Sequence, residues 1–260
     1  MTHVQVIAEL GGCSDGDLSV MRRQIDAAGA AGCDGVKAQW LSDPARLVQR
    51  RSATRYAGAY HRIAYPAHWL DVMAEHARSL GMELGCSCYL PEDADVLASR
   101  VSFLKVSAFE AGATDVLDAV GRTDCPVLIS LGMADHAETM RLVGWRACRM
   151  SAGLTTRLLH CVSHYTGAMP VEALNLGVIR AYGLDGWSDH SRDVQMGAAA
   201  VLVPPGDAAA LAGGLAELLH DRSRRDQLRG VAPAQAAGST WSSCVERHME
   251  AYRLAAGVAA

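Results

Sequence analysis

Residues 4–40 read VQVIAELGGCSDGDLSVMRRQIDAAGAAGCDGVKAQW. Two short apolar runs, 4–10 and 35–40, flank a segment in which Met21, Ile25 and Ala28 recur at helical spacing before a closing glycine. A strand, a helix and a second strand in so short a stretch make a βαβ unit, whose strands run parallel. The design repeats along the chain. Further strand candidates are MELGCSC (82–88), FLKVSA (103–108), PVLISLG (126–132), TRLLHCV (156–162), LDGWSDH (184–190) and AAVLVP (199–204). HWLDVMAEHARSLG (68–81) sets Leu70, Met73, Ala77 and Leu80 on one helical face. Eight strand–helix units within roughly 220 residues predict an α/β fold of the (β/α)8 TIM-barrel type rather than an open doubly wound sheet. No GxGxxG follows the first strand, which argues against a dinucleotide-binding fold. The polar, arginine-rich stretch 41–65 is expected to form a loop over the barrel mouth.

Composition narrows the function classes. The chain has 260 residues, half of them hydrophobic and a fifth charged, with a net charge of -4. That balance excludes a strongly basic nucleic-acid surface. No apolar run reaches the ~18 residues of a membrane helix, and MTHVQVIAEL lacks the pattern of a signal peptide. Eight cysteines are scattered without a CxxC pair. They read as reduced thiols of a cytoplasmic protein, not as a zinc knuckle. Cys86 and Cys88 fall on one face of their strand and read as small core residues.

In a parallel barrel the active site lies at the carboxyl ends of the strands. Glu9 ends the first strand, and Lys37 and Gln39 share one face of the second. Ser87 follows on the third strand, Lys105 and Ser107 on the fourth, and Ser130 on the fifth. The sixth carries His160 and is followed by Ser163, His164 and Tyr165; the seventh ends in Ser188, Asp189 and His190. Charges inside apolar strands are costly unless paired or functional. Two lysines at one barrel mouth make a site for phosphate or carboxylate. Each residue alone is equally well read as a buried ion pair or a solvated strand end; the recurrence at successive strand ends points to a site. His160, among Leu158, Leu159 and Cys161, reads as a core histidine. Arg46, Arg50, Arg51, Arg55 and Arg62 are candidates to clamp an anion from the 41–65 stretch, or simply a solvated loop.

The run IAELGGCSDGDLSVMRRQIDAAGAAGCDGVKAQW, followed in order by FLKVSAFE, PVLISLGM, LLHCVSHY and GWSDHS, resembles the sialic acid synthase (N-acetylneuraminate synthase) family over residues 4–200. The resemblance implies a (β/α)8 barrel. It also implies condensation of phosphoenolpyruvate with an amino-sugar aldehyde to a 2-keto sugar acid and phosphate, with Mn²⁺ or Mg²⁺ polarising the aldehyde. On the matching positions, Lys37, Lys105 and Ser130 would hold the phosphate and carboxylate of phosphoenolpyruvate. Gln39 falls in the lysine-x-glutamine pair, and Ser87 stands near a hydroxyl that faces the same substrate. Glu9 matches the acidic residue ending strand one. Ser163 and Tyr165 match the segment after strand six. Ser188, Asp189 and His190 match the serine–aspartate–histidine motif whose histidine binds the metal. His164 is a candidate second ligand.

The chain departs from the family pattern at several places. Cys13-Ser14-Asp15-Gly16 replaces an asparagine–histidine–asparagine–glycine segment. Ala108 stands where the strand-four serine is expected, with Ser107 one place early, and Tyr165-Thr166 replaces tyrosine–proline. AAAVLVPPGD (198–207) replaces the strand-eight glutamate–lysine–histidine–phenylalanine motif, with its second metal-binding histidine. The family's antifreeze-like domain is expected to be absent, since residues 203–260 do not resemble it. Residues 203–260 instead resemble the tail of GT-B glycosyltransferases. The domain reading is a barrel core over 1–206 and a helical segment over 207–260. In that segment Asp207 caps DAAALAGGLAELLHD as a closing helix, and CVERHMEAYRLA packs as an additional C-terminal helix.

The sequence therefore predicts a phosphoenolpyruvate-dependent synthase acting on a sugar or related aldehyde. Glu9, Tyr165 and His190 are its candidate catalytic residues. Lys37, Gln39, Ser87, Lys105, Ser107, Ser130, Ser163, Ser188 and Asp189 are candidates to bind substrate. Expected partners are small molecules, with no nucleic acid or membrane, and with a homodimer open. Two other readings stay open: a metal-free aldolase, lyase or isomerase acting on a phosphorylated sugar, and a non-catalytic scaffold.

Overall fold

The computed structural model describes residues 5–12, 14–163, 175–188 and 190. The chain divides into two compact units, Gln5–Arg157 and a second that begins at Leu158. The first opens with β1 (Ile7–Gly11), α1 (Leu18–Ala30) and β2 (Gly35–Gln39). It continues through α2 (Pro44–Arg51), α3 (Ala57–Arg62), α4 (His68–Ser79), β3 (Glu83–Ser87), α5 (Ala94–Ala98), β4 (Phe103–Val106), α6 (Thr114–Gly121), β5 (Val127–Ser130) and α7 (His136–Ser151). β6 (Thr156–Cys161) crosses into the second unit, where α8 (Gly177–Tyr182) and β7 (Gly186–Ser188) follow. The hydrogen-bonded strand order is β1-β2-β3-β4-β5-β6-β7, and the pairings from β1 to β5 and of β6 with β7 are parallel. Every strand expected within the described residues is present, with ends that move by a few residues. The expected eighth strand at 199–204, the 206/207 boundary and the C-terminal helices lie outside the described residues.

The local chemistry explains the boundaries. Asp17 starts α1 by accepting from Ser19 N at 2.7 Å, and Gly32, with φ of 77°, follows its end. Asp135 and Glu138 form a reciprocal capping box on α7. Burial follows the strand period. Val36, Ala38, Leu84, Cys86, Leu104, Val106, Val127 and Ile129 are buried on one face of the sheet. The helices contribute Ile25, Ala28, Leu70, Met73 and Ala77 to the core. Each large aliphatic side chain among these stabilises the fold by about 1.5–3 kcal/mol. The opposite strand face is the polar one described below.

The stretch 41–65 differs from the loop expected of it. It folds into α2 and α3, joined by a 3-10 turn at Thr54–Tyr56. Asp43 caps α2 through Arg46 N at 3.1 Å, with Pro44 in the first turn. Leu41, Leu47, Tyr60 and Ile63 bury together with Tyr89 and Leu90. Six apolar residues were enough to fold the segment, but they lie too far apart in the sequence to show a period among five arginines.

The described cysteines are free, and all but Cys148 are buried. Burial pushes the Cys33 and Cys125 thiols up to about 11 and Cys86 up to about 12. Iodoacetamide at pH 8 should therefore alkylate Cys148 in the native protein while Cys33, Cys86, Cys88, Cys125 and Cys161 react only in denaturant. Peptide mass mapping reads this directly, and rapid native labelling of Cys86 or Cys88 would contradict the burial.

Candidate active site

The register of the parallel strands builds the polar face. Glu9 pairs with Lys37, and Lys37 with Gly85. Two residues on, Gln39 pairs with Ser87, Ser87 with Lys105, and Lys105 with Leu128. Side chains two apart share a face, so Ser130 joins Leu128 and Lys105 there. The expected charges and hydroxyls of five strands thus form two adjacent rows on one face.

Their contacts divide into two lysine centres. Lys37 Nζ forms an ion pair with Glu9 and donates to Ser87 Oγ at 3.0 Å. Gln39 Nε2 donates to Glu9 Oε1 at 3.4 Å, and Gly11 N donates to the same oxygen at 3.0 Å. Lys105 Nζ donates to Ser130 Oγ at 2.6 Å and to Val106 O at 2.9 Å. Ser87, Lys105 and Ser130 are buried, at 2%, 6% and 2% exposure. A buried ammonium beside a hydroxyl is strongly desolvated, so an anion reaching it meets little screening. Behind the row, Tyr65 OH donates to Gln39 O at 2.9 Å, and Trp40 Nε1 donates to Tyr65 O at 2.7 Å, which fixes the end of β2. Burial pushes the Tyr65 hydroxyl well up, so it serves as a donor.

Ser107 takes a different role from Ser130. Its hydroxyl donates to Glu110, a buried carboxylate three residues on. Arg51 Nε donates to Glu110 Oε1 at 2.8 Å, and its Nη2 forms an ion pair with the same oxygen. The Arg51 guanidinium carbon lies 5.7, 5.2 and 5.1 Å from the ring centroids of Tyr60, Tyr89 and Phe109. The other arginines of the 41–65 segment are also engaged. Arg46 pairs with Glu92, Arg50 with Asp115, and Arg62 with Asp15 at 3.3 Å, while Arg55 lies over Tyr56. Arg46, Arg50 and Arg62 tie the segment to neighbouring elements, while the Arg55 contact stays within it. The Arg50 guanidinium holds the Asp115 carboxyl below its usual range.

In the second unit, Leu159, His160 and Cys161 pair with Gly186, Trp187 and Ser188. His160 is buried, as expected of a core histidine. Ser163 Oγ lies 3.8 Å from Cys161 Sγ, and Ser188 and His190 are half-buried. His164, Tyr165 and Asp189 lie outside the described residues. Among the described residues no three His, Cys, Asp or Glu side chains come together to hold a metal ion. The described set alone therefore does not fit a Mn²⁺ or Mg²⁺ site.

Glu110, Tyr89 and Gly85 had no assigned role in the sequence reading, and Arg51 was expected to clamp an anion or to be solvated, not to pair with a buried carboxylate. The Ser107-x-x-Glu110 spacing was a usable signal, since a serine and a glutamate three apart often bond reciprocally around a turn. Nothing in the sequence pairs Arg51 with Glu110, because only the fold brings together residues 59 positions apart.

The class this defines is a parallel α/β chain with lysines and hydroxyls in register along one face of its strands. The sequence model of the NeuB family matches residues 24–204, and the chain belongs to that family. Among curated relatives, pseudaminic acid synthase of Helicobacter pylori is 24% identical, covering 72% of this chain and 59% of the relative. Spore coat polysaccharide biosynthesis protein SpsE of Bacillus subtilis is 28% identical, covering 72% of this chain and 53% of the relative. This chain thus spans between half and three fifths of the length of these relatives. The crystal structure of N-acetylneuraminic acid synthetase from Leptospira borgpetersenii superposes with a TM-score of 0.68 at 23% identity, covering 78% of this chain and 71% of that one. The likeness shows the fold, and the (β/α)8 class expected from the sequence holds. No helix among the described residues is long and apolar enough to cross a membrane.

Proposed function

We propose that the protein is a phosphoenolpyruvate-dependent synthase. It would join C3 of phosphoenolpyruvate to the carbonyl carbon of a sugar-type aldehyde in carbohydrate biosynthesis. The observation that carries this reading is the pair of lysine centres. Lys105 with Ser130 and Lys37 with Ser87 set two ammoniums and two hydroxyls on one face of adjacent strands. Phosphoenolpyruvate carries a phosphate and a carboxylate, and the two centres match two anionic groups on one small molecule. Membership of a family whose relatives are named as synthases of pseudaminic and legionaminic acids supports the same chemistry.

The reaction balances as phosphoenolpyruvate plus aldehyde plus water giving a 2-keto acid plus phosphate. The C3 π electrons form the new C–C bond and the carbonyl oxygen takes up a proton. Water then adds at C2, and the C2–O bond to phosphate breaks as the 2-keto group forms. Lys105 and Ser130 would hold one anionic group and Lys37 and Ser87 the other. Glu9, fixed by Lys37, Gln39 and Gly11 N, is the described candidate for proton handling. Ser163, Ser188 and Asp189 stay candidates to bind substrate, and Tyr165 stays a candidate catalytic residue. His190 and His164 stay candidates for a divalent ion, and no step here passes through a metal.

The test is isothermal titration with phosphoenolpyruvate, followed by phosphate release with a panel of aldoses and N-acylated amino sugars. Binding with aldehyde-dependent phosphate release is the expected result. Binding without release favours the aldolase, lyase or isomerase reading, and no binding by any phosphorylated ligand favours the scaffold.

A further inference from the structure

We propose that Arg51, on the segment between β2 and α4, is a positioning residue: it neutralises the buried Glu110 carboxylate and thereby sets the Ser107 turn at the end of β4, beside the anion site. This inference deepens the synthase reading and rests on it for its ligand.

The path is continuous. Arg51 grips Glu110 through Nε and Nη2, and Glu110 accepts the Ser107 hydroxyl proton. Ser107 Oγ in turn accepts from Phe109 N at 3.3 Å, and Glu110 N donates to Ser107 O at 3.0 Å, which closes the turn. Ser107 follows Lys105 by two residues, so the turn begins where the anion site ends. Tyr89 connects the two regions from the other side. Its ring flanks Arg51, and it follows Ser87, a member of the lysine row, by two residues. Burial raises the Tyr89 hydroxyl well above its usual range, and the negative charges of Glu9 and Glu110 push it the same way.

The charge chemistry gives Arg51 a specific task. Glu110 is 2% exposed, and its surroundings are Arg51 from α2 (itself bonded to Tyr60), Cys88 and Tyr89 after β3, Ser107 on its own turn, and Arg50 at longer range. Arg51 is the cation in direct contact. Without it, a buried carboxylate is either left unneutralised or takes up a proton. In the first case a negative charge repels the anionic ligand next door. In the second the bond from Ser107 is no longer made to a charged acceptor, so it weakens and the turn loosens. Either way the anion site should suffer although Arg51 never touches the ligand. The cage of Tyr60, Tyr89 and Phe109 holds the planar guanidinium by its faces, a geometry that lysine does not reproduce.

The experiment compares wild type with Arg51→Met, Glu110→Gln and the double variant Arg51→Met/Glu110→Gln. Two readouts are used: affinity for phosphoenolpyruvate by titration, and urea midpoints at pH 5 and pH 8. Arg51→Met should weaken phosphoenolpyruvate at least tenfold at pH 8. The double variant, with no charge to neutralise, should return to within about threefold of wild type. A double variant as weak as Arg51→Met would overturn the proposal, since Arg51 would then act by direct contact or by packing. The urea arm needs no ligand. In Arg51→Met an ionised Glu110 would be buried with no cation against it, which costs stability. That cost is absent where the carboxyl is protonated, so the deficit should grow as pH rises. Arg51→Met should therefore lose midpoint between pH 5 and pH 8 relative to wild type, and Glu110→Gln should remove that difference. A pH-independent Arg51→Met deficit would overturn the charge role. If wild type binds no phosphoenolpyruvate, the synthase reading fails. The urea arm still decides whether Arg51 neutralises Glu110, and the positioning role then falls with the ligand.

Discussion

Replacing Lys105 with methionine should weaken phosphoenolpyruvate binding by between about thirtyfold and a few thousandfold while the protein stays folded. Truncating one partner of a buried, hydrogen-bonded charge pair costs about 2–5 kcal/mol, and each 1.4 kcal/mol is tenfold in affinity. Lys105 fits that case because its Nζ lies beside the buried Ser130 hydroxyl in the middle of the row. The effect on folding runs the other way. Methionine fills a similar volume, and a volume-conserving swap costs under about 1.5 kcal/mol. Removing a buried ammonium also relieves a desolvation penalty of several kcal/mol, which offsets the hydrogen bonds lost by Ser130 Oγ and Val106 O. The thermal midpoint should therefore move by less than about 6 °C at 2–4 °C per kcal/mol for a protein of this size. Titration and a thermal melt on the same sample separate the two effects. Unchanged affinity would remove Lys105 from the ligand site and with it the central support for the synthase reading. A collapsed melt would instead assign Lys105 to folding.

The second large effect is structural. Gly85 on β3 lies opposite Lys37 on one side and Phe103 on the other. A Cβ built there would sit 2.1 Å from two carbons of the Phe103 ring and 2.6 Å from a third. Phe103 is itself buried, so the ring has nowhere to swing. Overpacking of this kind costs about 1–3 kcal/mol and at times more, and a ring clash inside a sheet belongs at the upper end. Gly85→Ala should lower the thermal midpoint by about 6–12 °C. The cause can be isolated with Phe103→Leu. If the ring is the obstacle, the double variant should be more stable than Gly85→Ala alone, although Phe103→Leu by itself destabilises. Strictly additive losses would place the strain in the backbone and not in the ring contact. The glycine thus lets an aromatic side chain floor the polar face directly behind the lysine row.

The likeness in fold and the family match come from residues that the sequence displays openly. The (β/α)8 class was legible because its signal is repetitive. Apolar runs spaced by amphipathic helices survive any error of a few residues at their ends. The row of Glu9, Lys37, Gln39, Ser87, Lys105 and Ser130 was legible for the same reason, since strand period and parallel order place strand-end polar groups on one face. The segment 41–65 was not legible as helix. Its fold depends on Leu41, Leu47, Tyr60 and Ile63 meeting Tyr89 and Leu90, and partners that arrive from β3 leave no period in the segment itself.

The sequence by itself determined the strand order, the residue types at the strand ends and the charges available to bind an anion, because all of these follow from local periodicity and the handedness of βαβ connections. Only the tertiary structure decided how those charges are used. It gave Lys37 to Glu9 and Ser87, Lys105 to Ser130, and Arg51 to Glu110, and it withdrew Ser107 from the row by turning its hydroxyl onto a carboxylate. Pairing of charges depends on distance and desolvation, and both are set by packing between segments that the sequence keeps tens of residues apart.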